Sequence, residues 1–404
     1  MTIRQEAAAI DAEDRERTAR RRNNRIRRDA IQFAIIAAAA ALVVLFAFSV
    51  KNGLAKHGIQ FSFSFLWNAA GFDISEGKTL VFDGGIWPSL TEFTPDRTVA
   101  QAFVTGLVNT IKISVLGIVL STILGTLLGV GRLSTNWVVR NLSFWIVEFV
   151  RNTPLLIQLV FWYFAVVLHF PPIASAAKLY GGIIISQQGT YLPMLVASKN
   201  ASALSGLLLF AAIAALALSI AVRRRKIGRI AAATAIALFC LTLAIGSPVA
   251  VDYPAASKFQ ASGGTSISPE MAALLLAIVV NSASYIAEIV RGAIDTLHKG
   301  QWEAAASLGL SRRHALHDII LPQVFRVVLP SFGNQYISLT KNTALGIAIG
   351  YPELFNIYGT IANQTGHSLE GIVIVMASYL VLSWIISWLV GLANGRFDKR
   401  GAMR

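Results

Sequence analysis

Glu303-Ala304-Ala305, then Gly309, then Ile319 and Leu321-Pro322 form the stretch on which the reading of this chain turns. Three residues separate Ala305 from Gly309, and nine separate Gly309 from Ile319. The stretch is polar and basic, and it lies between apolar runs long enough to cross a bilayer. Alanine favours helix, and Ala304, Ala305 and Ala306 present little side chain, so this segment reads as a short helix able to lie deep in a partner's groove. Gly309 suits the left-handed residue that ends such a helix. Ser311 could cap a second helix running to Leu321, which Pro322 would interrupt. Glu303 favours the first helix's amino-terminal turn or accepts hydrogen bonds from the loop.

The composition supplies the setting. Of 404 residues, 55% are hydrophobic and only 14% are charged, and mean hydropathy is +0.60. A soluble domain carries about a quarter of its residues charged. The chain therefore reads as an all-α polytopic membrane protein. Eight spans are expected: Ile31–Val50, Phe103–Gly131, Phe144–Leu168, Leu204–Val222, Ile230–Ala250, Met271–Val290, Val327–Gly350 and Gly371–Ala393. Each meets the roughly 17–20 residues that a bilayer core demands. Residues 1–30 carry nine Arg and six acids with no apolar core, so they read as a basic cytoplasmic tail rather than a signal peptide.

Charge orients the spans. With the amino terminus inside, 25 Lys and Arg fall on the cytoplasmic side and 7 outside, while Lys112, Arg151 and Lys341 lie within spans. That bias places both termini in the cytoplasm. It also accounts for the net charge of +14 without nucleic acid. The lone Cys240 lies in an apolar run and allows no internal disulfide.

Charged groups inside spans are costly and face a packed interior or a watery cavity. Glu148 and Arg151 are three apart in the third span, so they share a helix face and could pair. Pro154 follows, and a proline-broken helix exposes carbonyls of the kind that line transport sites. Asn152 and Thr153 sit at that break. Lys341 and Asn342 lie in the seventh span, where Lys341 and Arg151 could together hold a substrate carboxylate. Snorkelling of Lys341, or its pairing with Glu148 or Glu288, is the competing reading. Tyr285, Glu288 and Arg291 share one face of the sixth span. Gly125 and Gly129 permit close helix approach and read as packing.

Several chemistries are excluded. Gly71 to Gly77-Lys78-Thr79 has five residues between its glycines, not the four of a phosphate-binding loop. No zinc protease signature or nucleophile elbow is present. No catalytic residue, metal site or cofactor is expected on this chain.

Ser284 to Ala293, then Gly300 to Leu310, then Leu321-Pro322-Gln323 resemble the polar amino acid permeases of ABC importers. Gly106 to Thr110 and Arg151 to Leu156 are similar to that family's first conserved half. Ala70 to Ile74 and Arg132 to Trp137 resemble the larger permease subunits of general L-amino acid importers. The resemblance implies a type I importer permease core with a cytoplasmic coupling helix, seated in a bacterial inner membrane. It assigns Glu303, Ala304, Ala305, Gly309, Leu310, Leu321 and Pro322 to docking on a separate cytoplasmic ABC ATPase, which would hold ATP and Mg. It implies a second permease, a periplasmic amino-acid-binding protein and broad specificity for L-amino acids. Trp302 departs from the small or charged residue common at that position. The organisation expected is a basic tail over 1–30, an extra helix and outer loop over 31–100, core over 101–170, an insertion with two extra helices over 171–265, and core again over 266–404. A transporter driven by an ion gradient would share the spans and buried charges but would not need the Glu303–Pro322 spacing.

Overall fold

The computed structural model describes residues 27–28, 30–42, 44–45, 48–49, 52–53, 61–81, 89–198, 202–221, 225–296, 299–311 and 314–402. The chain forms two units, Met1–Phe65 and Leu66–Arg404. In the first, an apolar helix, α1, covers Ala30–Leu42, with Phe33, Ile36 and Leu42 exposed. Nearly all of the basic tail and much of the second half of Ile31–Val50 lie outside the described residues.

In the second unit an antiparallel hairpin, β1 (Lys78–Val81) and β2 (Ser89–Glu92), precedes the first long helix, α2 (Val99–Arg132). A capping box starts α2. The Thr98 hydroxyl accepts the Gln101 N–H at 3.3 Å, and the Gln101 side chain accepts the Thr98 N–H at 3.0 Å. Next come α3 (Trp137–Arg151) and α4 (Leu155–Val160). The α3 arm and the Leu155–His169 arm meet at 105°. Pro154 is the cause: it has no N–H to give and disfavours helix at Thr153. Gln158 repairs the break from a buried position, donating through Nε2 to the carbonyls of Val150 at 2.9 Å and Thr153 at 2.8 Å.

Short strands follow. β3 (Ala177–Leu179), β4 (Ile183–Ser186) and β5 (Gly189–Leu192) pair antiparallel. β6 (Met194–Ala197) pairs with β7 (Val249–Asp252), and between them α5 (Ala203–Ala221) and α6 (Arg225–Ile245) pack on each other. After the small pair β8 (Ala255–Ala256) and β9 (Ala261–Ser262), β10 (Thr265–Ile267) returns to β5. The sheet thus rejoins the two ends of the stretch that carries α5 and α6.

α7 (Pro269–Asp295) is the central helix, with 67% of its most apolar window buried. Ser268 caps it, and Pro269 sits in the first turn, where a missing N–H costs nothing. α2 closes on α7 through two glycines. A Cβ on Gly125 would stand 2.6 Å from Ile286 Cβ, and one on Gly129 would stand 2.7 Å from the Ala287 carbonyl oxygen. Ile113, Leu159, Met271, Leu274, Ile278 and Leu339 form a core cluster toward the amino-terminal half of α7. α8 (Lys299–Ser307), α9 (Leu321–Asn342), α10 (Leu354–Thr365) and α11 (Ser368–Ala402) complete the unit.

Among the described residues four helices are long and apolar enough to cross a membrane: α2, the Lys226–Ile245 part of α6, α7 and the Ser368–Gly395 part of α11. The bent pair makes a fifth when taken as one span. Leu204–Ser219 is apolar but shorter. The span Phe144–Leu168 is broken at Pro154, where the proline led one to expect it. Other expectations change. The span expected to reach Ala250 ends at Ile245, and Val249 begins a strand. The span placed at Val327–Gly350 is helical from Leu321 to Asn342, and a tighter 3₁₀ turn carries Thr343–Ile349. Pro322 does not interrupt a helix. It lies in the first turn of α9, where it costs no hydrogen bond. The fold is helical but not purely so, because the segments outside the spans add β-pairs.

Candidate functional site

The Glu303 segment folds as a helix and a stop. In α8 only Ala305 of the three alanines is buried; Glu303, Ala304 and Ala306 are exposed. Gly309 takes φ +70°. Its N–H donates to the Ala306 carbonyl at 2.9 Å, and the Leu310 N–H donates to Ala305 at 3.1 Å. These two bonds define a Schellman cap, which requires a left-handed residue where glycine stands. Ser311 then opens the next turn, its hydroxyl lying 2.7 Å from His314 Nδ1 and its carbonyl accepting the Ala315 N–H at 2.9 Å. Residues Ala315–Ile320 form a π-helical turn that runs into Leu321 and Pro322 at the head of α9. Ile320, Val324 and Val328 pack with Ile286, Val290 and Ala293 of α7. The exposed alanine face is therefore mounted on the central helix.

Six charged side chains tie α2, α3 and α7 together. Arg132, 9% exposed, donates to Glu288 at 2.7 Å and to Glu148 at 3.3 Å, with its guanidinium 5.2 Å from the Phe144 ring centroid. Arg291 pairs with Glu288 and Asp295, each at 2.5 Å. Arg151 is held more loosely, 3.9 Å from both Glu148 and Glu288. Its guanidinium lies 5.6 Å from the Tyr285 ring centroid, and its Nε is buried without a hydrogen-bond partner. Sequence reading named the Glu148–Arg151 pair and placed Glu288 and Arg291 on one helix face. It missed Arg132 as their hub, because Glu148 lies sixteen positions beyond Arg132 along the chain.

A cavity of about 490 Å³ opens beside this network. The α3–α4 break contributes Arg151, Asn152, Thr153 and Pro154; α7 contributes Asn281 and Tyr285; α9 contributes Gln335, Ser338 and Asn342. Four of the expected residues, Arg151, Asn152, Thr153 and Asn342, thus meet in one place. Glu148 stands behind Arg151 rather than on the wall. Lys341 lines a separate, mostly apolar cavity with Phe355, Val375 and Tyr379, so it does not join Arg151 around one carboxylate. Successive residues of a helix point in different directions, and that separates Lys341 from Asn342. Gln335 and Ser338 were missed, although their spacing of three, followed by four to the expected Asn342, is a polar helix stripe visible in the sequence. Among the described residues no three His, Cys, Asp or Glu gather as a metal site.

A second polar knot lies at the turn before α10. Asn109 Nδ2 donates to the carbonyls of both Glu76 and Pro352 at 2.8 Å, and Lys112 pairs with Glu76 at 2.7 Å. The buried Glu353 caps α10, accepting N–H groups of Phe355 at 2.8 Å and Asn356 at 2.6 Å and the Tyr379 hydroxyl at 3.0 Å. Burial pushes its carboxyl up to about 7 against the pull of those donors.

The family model described as binding-protein-dependent transport system inner membrane component matches residues 117–400. The chain is 36% identical over 377 residues to YhdX of Escherichia coli K12, covering 90% of this chain and 92% of that protein. It is 34% identical over 352 residues to AapQ, a general L-amino acid transport system permease protein of Rhizobium johnstonii, covering 85% of each. It is 31% identical over 412 residues to BztB, a glutamate/glutamine/aspartate/asparagine transport system permease protein of Rhodobacter capsulatus, covering 92% of this chain and 94% of that one.

Proposed function

Because this chain belongs to the family of binding-protein-dependent transport system inner membrane components, we propose that it is the transmembrane permease subunit of an ATP-driven importer for L-amino acids. The observation that carries this reading is the cavity at the α3–α4 break. Eight polar side chains do not face hydrocarbon without cause, and a helix broken beside them is the arrangement in which transport sites are built. The exposed face of α8 serves as the coupling helix for a separate cytoplasmic ATPase, which binds ATP and Mg. Glu303, Ala304, Gly309 and Leu310 form that surface, Ala305 turns inward to seat it, and Leu321 and Pro322 begin the helix that carries its motion to the cavity wall. A second permease covers the polar cavity, a periplasmic amino-acid-binding protein delivers substrate, and both termini lie in the cytoplasm on the strength of the 25-to-7 charge bias. The residues between the two halves of the core, about 171–265, form an insertion with its own helix pair.

The test is uptake of labelled L-amino acids by cells carrying the whole system, comparing wild type with Glu303→Lys and Gly309→Asp at matched membrane levels. Loss of uptake together with loss of ATPase co-purification is expected. Uptake that survives both changes, yet collapses with an uncoupler at constant ATP, refutes an ATP-driven importer and favours a gradient-driven transporter.

A further inference from the structure

We infer that the cavity selects by charge: it accepts L-amino acids with anionic, amide or other neutral side chains and excludes those with cationic side chains. This rests on the reading of the cavity as the substrate site. Among the described residues Arg151 is the only charged one on the wall, and no carboxylate accompanies it. The nearest acids are already engaged. Glu288 is held by Arg132 at 2.7 Å and Arg291 at 2.5 Å, and Glu148 by Arg132 at 3.3 Å.

Arg151 is therefore the one cation of the network with spare capacity. Its distances of 3.9 Å to both acids are beyond good hydrogen bonds, and its Nε has no partner. A planar guanidinium with free donors suits a carboxylate bound side-on. The substrate's α-carboxylate meets Arg151, and its α-ammonium meets neutral acceptors. Asn152 offers one, since its Nδ2 is committed to the Glu148 carbonyl at 2.8 Å and its Oδ1 is left over. Once a zwitterion is bound, the site keeps the net positive charge of Arg151. A second carboxylate or an amide finds donors on Asn281, Gln335 and Asn342. A second cation finds no counter-charge and loses its water, the costly case for a desolvated ion. Selection here comes from what the wall withholds as much as from what it offers.

The experiment measures equilibrium binding of labelled L-glutamate, L-glutamine and L-arginine to the purified permease–ATPase complex without its binding protein, so that only the membrane subunits choose. Wild type is expected to bind glutamate and glutamine at least about tenfold more tightly than arginine, the scale of one unmet charge-assisted hydrogen bond. Arg151→Gln is expected to weaken glutamate by about tenfold or more. Gln335→Glu, which adds the missing carboxylate, is expected to gain arginine binding and lose glutamate, and a gain is not produced by misfolding. Equal binding of arginine and glutamine by wild type, or no gain with Gln335→Glu, overturns the charge rule while leaving the substrate site in place. No binding of any of the three, with Arg151→Gln cells still taking up amino acids normally, overturns the substrate site itself.

Discussion

Gly309 offers a test in which size and backbone strain give opposite answers. Its φ of +70° is the left-handed conformation of a Schellman cap, and a Cβ built there meets nothing within 4 Å. Substitution therefore costs through the backbone and not through crowding within the chain. Alanine in that conformation costs about 1 kcal/mol, a β-branched valine about 2 kcal/mol, and asparagine less than either because its side chain tolerates the left-handed region. At 1.4 kcal/mol per tenfold, valine would lower the capped population about thirtyfold relative to glycine, alanine about fivefold and asparagine least. The uncapped state loses the Leu310-to-Ala305 and Gly309-to-Ala306 hydrogen bonds, which fix where α8 stops and where Ser311 begins the next turn. Uptake and ATPase co-purification should then rank Gly, Asn, Ala, Val, with asparagine near wild type although it is larger than alanine. If asparagine is instead as damaging as valine, and alanine is mild, the position is limited by space in a partner's groove, and the backbone argument is refuted.

Other perturbations give separate readings. Gln158→Leu removes the donor to two carbonyls at the α3–α4 break, and is expected to cost about 2 kcal/mol and lower the thermal midpoint of the detergent-solubilised protein; an unchanged midpoint would mean that the break does not depend on Gln158. Gly125→Ala places a methyl 2.6 Å from Ile286 Cβ and should destabilise by about 1–3 kcal/mol by wedging α2 from α7, whereas alanine at Gly292, with nothing within 4 Å, should be neutral in the same melting assay. Glu353 links stability to pH. In the unfolded chain its carboxyl ionises near 4.5, but in the fold it holds its proton to about 7. The folded state is favoured below the lower value, loses about 3 kcal/mol as pH rises between the two, and changes no further above about 7. Melting curves from pH 4.5 to 8 should show that slope in wild type and a flatter one in Glu353→Gln; parallel curves would place the titration elsewhere.

The local structure of the Glu303–Ser311 segment was legible because its information is local. A helix of small residues, a left-handed stop and a serine cap each follow from neighbours within a few positions, and Gly309, Leu310 and Ser311 take those roles in the fold. The break at Pro154 was local too, since proline acts on the residue before it. Pro322 was misread because a proline in the first turn and a proline inside a helix look alike until the helix start is known. Short β-pairs such as β6 with β7 were invisible for a different reason. Their partners lie far apart in sequence, on either side of a helical hairpin, and no periodicity links them.

The sequence by itself determined a helical membrane chain, the side bias of its basic residues and the short capped helix that ends at Gly309, because hydropathy, charge and capping are properties of short windows. Only the tertiary structure decided which polar residues share a cavity. Arg151 and Asn342 met there, Lys341 faced elsewhere, and Arg132 made the shorter bond to Glu148, the acid expected to pair with Arg151. A site assembled from α3, α4, α7 and α9 depends on the rotation of each helix about its own axis. Close contacts such as Gly125 against Ile286 set that rotation, and one residue's turn carries a side chain through about 100°.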